Sequence, residues 1–387
     1  MLPTVSHATV EALQYQHQLV SIDNKQYEAR IPAGYQLELL TTKLDSPRMM
    51  TFLDNGDLLI GSKSGSLYRL PAPYTNPTTL IELDDYPHSV VVRNKLIYIA
   101  QTDGLYVAPY QSGQKQLSKS DIKRLLPLPG GGGHNSRTVH LGPDNRIYLS
   151  LGISGNCSDQ WLDKTVAFNK RRGGILVLSE SGQLVWQTYA SGLRNPVGFA
   201  WHPSTGMMYA SNNGPDHHGF KQPPEYFSRI TEGSFHGMPW YQYNGKKIVS
   251  DDCLDSKPPL PIDTVVLPVL TFPARNAPMG VSFVNNQRFG KKLMYDAIVA
   301  LHGSWATQPG GGFFGSRSTR RPPKIVAARF KNGKAVRVDD LITGFQLNDG
   351  SRWARPVGVA MGPDGALYFT SDGGVHGLYR LKRVSSE

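Results

Sequence analysis

The chain is predicted to be all-β, folded as a six-bladed β-propeller. Three observations point there. A unit of apolar strand, tight turn and second apolar strand occurs six times. The composition is turn-rich, with 40 Gly and 28 Pro among 387 residues. No convincing helical pattern interrupts the units, and only 18% of residues are charged.

The units run in order along the chain. "SPRMMTFLDNGDLLIGSKSGSLYRL" starts at Ser46 and "YPHSVVVRNKLIYIAQTDGLYVAPY" at Tyr86. "GHNSRTVHLGPDNRIYLSLG" starts at Gly133 and "LRNPVGFAWHPSTGMMYASNNG" at Leu193. "ARNAPMGVSFVNN" starts at Ala274 and "ARPVGVAMGPDGALYFTSDGGVHGLYRL" at Ala354. Asp, Asn and Gly fill the turns, and "SLYRL" and "GLYRL" add third strands. The starts lie roughly 40 to 90 residues apart, too irregular for WD40 arrays but suited to blades carrying insertions. A β-sandwich is the runner-up, yet it does not explain six repeated openings. Although 387 residues exceed a typical single core, closed β architectures run long as one domain. We therefore expect one propeller over residues 33–387, preceded by an N-terminal arm over 1–32.

Net charge is +11, which favours anionic partners. No RNP motif, zinc-finger spacing or recognition helix accompanies it, so no nucleic-acid partner is expected. The basic stretch "GSRSTRRPPK" (315–324) reads as a solvated surface insertion. No apolar run of 18 residues predicts a membrane span, and no leader-like pattern opens the chain. Cys157 and Cys253 lie in polar loops. They form either a long-range disulfide, suited to a periplasmic or secreted setting, or two unpaired thiols.

In a propeller the first strand of each blade lines the central channel, and the residue just before it sits at the mouth. That position reads Arg48, His88, His134, Arg194, Arg275 and Arg355. Nothing in β structure requires cations there, and gathered like charges repel unless an anion lies among them. The ring therefore predicts an anionic, planar ligand on the axis, since Arg grips carboxylates bidentately and stacks on flat rings. The competing reading is that each Arg bridges to a neighbouring loop carboxylate, and for Arg48 we favour it. Arg194 and Arg355 are followed by Pro or Asn-Pro and then Val-Gly, which we read as presenting the side chain rigidly. Adjacent His217 and His218 read as surface loop.

These words also carry a resemblance. "ASGLRNPVGFAWHP", "GGGGHNSRTVHLGPDNRIYLSLG", "NNGPD", "VALHGSW" and "RPVGVAMGPDGALYFTSDGG" resemble the soluble pyrroloquinoline-quinone (PQQ) dependent sugar dehydrogenases. The sorbosone dehydrogenase-like branch is nearer and soluble glucose dehydrogenase more distant. The resemblance implies a six-bladed propeller that binds PQQ and Ca²⁺ at the channel mouth and oxidises a small sugar, passing electrons to an acceptor the sequence does not name. It makes His134 the general base. It assigns Arg194, Asn195 and Arg355 to the cofactor, with Arg194 also stabilising developing charge, and places His88 in the pocket. Calcium falls to backbone carbonyls of Gly214 and Pro215, with Asp216 adjacent. The family's aspartate before the base is here Gly133, and its cofactor lysine has no clear counterpart, leaving His302 or Ser304 in "LHGSW" to serve. A calcium-dependent lactonase and a non-catalytic propeller binding an anionic ligand are the alternatives.

Overall fold

A computed structural model describes residues 10–384. Six antiparallel sheets of four or five strands follow one another, the six-bladed propeller that the repeated units predict. Their innermost strands are Pro47–Phe52, Ser89–Arg93, Val139–Leu141, Phe199–Trp201, Pro278–Phe283 and Ala354–Met361. The ring closes because Tyr35–Thr41, from early in the chain, pairs with the C-terminal strand Gly377–Arg383, Leu37 opposite Leu381. The last blade is thus completed by both ends of the chain, which fastens the ring.

The turns explain why the units recur. In "GPDN" and "GPDG", Asp144 and Asp364 each cap the turn, accepting from the amides of Arg146 and Ala366. Each also accepts from a tyrosine four residues on, Tyr148 and Tyr368, at 2.8 Å. One short motif thus sets both the turn and its strand register.

Three glycines at the blade seams, two of them in the Val-Gly pairs, let the inner strands come together. Gly198, Gly280 and Gly358 sit where inner strands meet around the axis. An added Cβ would come within 2.1 Å of the Met279 oxygen, 2.7 Å of the Val357 oxygen and 2.5 Å of the Arg48 oxygen respectively. Only glycine lets these backbones approach. Hydroxyls stitch the same seams: Ser89 donates to the Arg137 carbonyl, Thr138 to Val197, Ser211 to Met279 and Thr370 to Arg48.

Ahead of the propeller, Tyr15–Ile22 and Lys25–Pro32 form a hairpin. Val20, Ile22, Ala29 and Ile31 bury against Phe345 and Trp353, so the described part of the N-terminal arm is docked on the fifth and sixth blades. Residues 1–9 of that arm lie outside the described residues. The third blade gains a short parallel strand, Ser234–Phe235, from a long insertion in the fourth. No helix among the described residues is long and apolar enough to cross a membrane.

Candidate active site

His134 hangs from the loop that enters the third blade. Its Nδ1 lies 2.5 Å from the Ile153 carbonyl oxygen. A carbonyl only accepts, so Nδ1 carries the proton and Nε2 keeps its lone pair. Gly152 makes the placement possible: a Cβ there would stand 2.8 Å from the His134 Cβ and 2.6 Å from the Asn195 side-chain oxygen. These two side chains share a site because the residue between them has none.

Two arginines that sequence reasoning passed over hold this loop. Arg137 and Arg172 are 0% and 1% exposed. Both grip the His134 carbonyl, Arg137 at 2.6 Å and Arg172 at 2.8 Å. Arg137 also donates to Ser136 and Pro129, and Arg172 to Gly152 and Gly131. Among the described residues neither forms an ion pair. Burial pushes Arg172 down to about 10, and burial plus the Arg172 charge pushes Arg137 down to about 9. Burial, then the charge of Arg194, then those of Arg172 and Arg137 drive His134 down to about 3. The imidazole is therefore neutral at physiological pH. The only sequence signal for Arg172 was its place in "KRRGG", which looks like surface charge.

His134 and Asn195 line a cavity of about 520 Å³ together with Arg48, Lys63 and Tyr86, over apolar Val197 and Met279. Lys63 comes from the "GSKSG" turn of the first blade. It escaped notice because a lysine in a Gly-Ser turn is ordinary until the fold aims it. Asp84 and Asp85 lie on the same rim.

The six residues of the expected ring are placed differently with respect to this cavity. Arg48 and His134 line the cavity; His88, Arg194, Arg275 and Arg355 do not. Two carboxylates already within the mouth, Asp372 and Asp216, pair with Arg48 and Arg275. Arg48 reaches Asp372 at 2.5 Å, His302 donates to the same carboxylate at 2.6 Å, and Arg355 donates to His302 Nδ1 at 2.9 Å. Burial would raise the Asp372 carboxyl, but its bonds with His302 and Arg48 hold it well below the usual carboxylate range. His302, pushed down to about 4 chiefly by burial, is neutral. Arg275 pairs with Asp216 and also bonds its carbonyl and that of Gly219. Arg194 lies 4.0 Å from Asp216 and is anchored on Asn156 at 2.9 and 3.0 Å. His88 is wholly buried, 3.3 Å from Thr138 Oγ1, and stacks edge-on against Tyr86. Tyr86, which it packs against, lines the cavity.

The residues expected at the metal lie beside these arginines. Asp216 is occupied by Arg275 and is not a free ligand. Gly214 and Pro215 are buried, and their carbonyls accept no hydrogen bond among the described residues. They remain oxygen donors of the kind calcium takes. Glu225 sits behind them, bonded to the Gly214 amide, its carboxyl pushed up to about 7 by burial. At the edge of the mouth Cys157 and Cys253 are joined, their Cα atoms 6.0 Å apart.

Comparison with known proteins agrees with the fold. Three solved structures superpose over nearly the whole chain. A Trichoderma reesei enzyme of carbohydrate-active family AA12 matches with TM-score 0.76 and 19% identity, covering 96% of this chain and all of its own. The holo PQQ domain of pyranose dehydrogenase from Coprinopsis cinerea matches with TM-score 0.72 and 20% identity over 92% and 97%. The soluble aldose sugar dehydrogenase of Escherichia coli matches with TM-score 0.65 and 17% identity over 90% and 99%. A family model described as TrAA12-like matches residues 29–222 and 251–382, most of the chain, and the protein therefore belongs to the TrAA12-like family.

Proposed function

We propose that the protein is a PQQ- and calcium-dependent oxidoreductase that oxidises a small sugar, with His134 as general base. The observation that carries this reading is the His134 tautomer: Nδ1 is locked on a carbonyl, and Nε2 is unprotonated beside a cavity with cationic lining. The family and its neighbours, among them a PQQ domain and a sugar dehydrogenase, support the same class.

The residues present fit the cofactor. PQQ is a flat tricarboxylate, and Arg48 and Lys63 would hold carboxylates over the apolar pair Val197 and Met279, with Asn195 contributing a hydrogen bond. Gly214 and Pro215 would supply carbonyl ligands to calcium. When bound, the quinone supplies the electrophilic carbon that accepts a hydride. The chain's own part is proton transfer. As the substrate C–H leaves as hydride, its hydroxyl proton passes to His134 Nε2, and the carbon becomes a carbonyl. Arg172 and Arg137 hold the base in place. Together with Arg194 they keep it neutral, with its Nε2 lone pair free, while weakening it as a base. Arg194, anchored on Asn156, acts through that field, and His302 and Arg355 act by orienting Asp372 and hence Arg48. The finer assignment to a sorbosone dehydrogenase-like branch, a periplasmic or secreted location and an unidentified electron acceptor belong to the same proposal.

The test is a titration of the purified protein with PQQ in the presence of Ca²⁺, followed by a panel of aldoses while quinone absorption is monitored. Binding and bleaching are expected, and His134→Ala should bind PQQ but reduce it roughly 10² to 10⁴-fold more slowly. Failure of PQQ to bind refutes the proposal.

A further inference from the structure

His217 and His218 read in sequence as two surface-loop residues, but the fold gives them a common partner. Asp251, more than thirty residues later, has a wholly buried side chain, and its two oxygens lie 2.8 Å from His217 Nε2 and 2.9 Å from His218 Nε2. The exposed carboxylate of Asp252 completes a set of four ligand atoms, all within 4.8 Å of one another. Asp251 is itself fixed, accepting from the Cys253 amide at 2.9 Å, and Cys253 is tied to Cys157. The two imidazoles remain partly open to solvent, with side chains 26% and 32% exposed.

We propose that His217, His218 and Asp251, with Asp252 as a fourth ligand, form a binding site for a divalent first-row transition ion such as Zn²⁺ or Cu²⁺. Zn²⁺ bonds of about 2.0–2.2 Å at a tetrahedral angle separate their donor atoms by about 3.4 Å. The imidazole nitrogens and the carboxylate oxygens, now at hydrogen-bond distance of 2.8 and 2.9 Å, need to part by only about 0.5 Å for a metal to replace the Nε2 protons between them. The same two nitrogens that now point at Asp251 point at the place a metal would take. Two neutral imidazoles and two carboxylates balance a dication, in contrast to the cationic mouth nearby. Two nitrogen and two oxygen donors suit borderline ions rather than calcium, which takes oxygen. The site joins the 214–219 segment, which carries the Asp216 partner of Arg275, to the insertion at 251–253. Its role is a clamp on the wall of the mouth, and it stands whether or not the sugar oxidation above holds.

The test uses the full chain, stripped with chelator and kept in Ca²⁺ so that oxygen-donor sites are filled. Calorimetric titration with Zn²⁺ should show one equivalent bound at micromolar affinity or tighter, with a rise in Tm. His217→Ala with His218→Ala should weaken binding on the order of 100-fold or more and, because it leaves the buried Asp251 carboxylate without its two imidazole partners, should also lower the unliganded Tm. In the parent protein, the Cu²⁺ adduct should show electron-spin coupling to two imidazole nitrogens. No saturable binding, equal binding by the double variant, or a Cu²⁺ spectrum without imidazole nitrogen would each overturn the proposal.

Discussion

Replacing Arg172 by Met tests whether a buried, acid-free guanidinium holds the base. The side chain makes three hydrogen bonds to carbonyls at 2.8 Å or less, on Gly152, Gly131 and His134. Bonds to a charged donor are each worth about 1.5–3 kcal/mol, so about 4–9 kcal/mol of interaction disappears and three carbonyls lose a donor. Against that, Met removes the desolvation cost of an unpaired cation, several kcal/mol, and relieves repulsion of Arg137. The net expectation is a loss of about 3 kcal/mol. Unfolding entropy of about 2.1 cal/mol/K per residue over 387 residues converts this to a Tm drop of about 4 °C by calorimetry. The local effect should be larger than the global one. Amide exchange of residues 131–136 should accelerate well beyond that of the blade strands, because the loop is pinned there by Arg172 and Arg137. Arg172→Lys should recover part of the Tm but not the loop protection, since one ammonium cannot span three carbonyls. An unchanged Tm with unchanged exchange over 131–136 would refute the reasoning.

Three further outcomes follow from the same geometry. His134, held near 3 against an unfolded value of about 6.5, should stay neutral in the free protein; the unfolded chain takes up the proton first, so stability is full above pH 6.5 and declines as pH falls from 6.5 towards 3. An NMR titration of His134 with a midpoint near 6.5 would contradict this. Asp372→Asn removes the partner of buried Arg48 and should cost about 3–5 kcal/mol near neutrality; because the folded carboxyl lies below its unfolded value, the difference should shrink as pH falls below about 4, and denaturant titrations at pH 7 and pH 3 would expose a parallel offset as disproof. Gly152→Ala would force His134 and Asn195 apart, so sugar-driven reduction should fall by at least tenfold, in line with the sensitivity of catalysis to small displacements, and parental rates in this variant would show that their close approach is unimportant.

The blades and their turns were legible because they rest on local chemistry. Asp144 and Asp364 cap their own turns two residues on, and strand alternation needs no distant partner. The position of His134 at the entrance of the third blade was legible for the same reason. Its protonation state was not, for it depends on Ile153, Arg137 and Arg172, brought together by three separate segments. The cations at the mouth could be counted from the sequence, but their partners could not. Asp372 meets Arg48 across the closure of the ring, and Asp216 meets Arg275 across a blade boundary. Arg275 is held by Asp216 and Arg355 by His302, both outside the cavity lining, whereas Arg48, paired with Asp372, and Lys63 lie within it.

By itself, then, the sequence determined a six-bladed closed β fold and the residue types gathered at one end of its axis, because hydrophobic period and turn chemistry act between near neighbours. Which of those residues are neutralised, which face the cavity, and that two adjacent histidines share a buried aspartate were decided only by tertiary structure. Charge and hydrogen bonding act over a few ångströms of space, and the groups that supply them here lie tens to hundreds of residues apart along the chain.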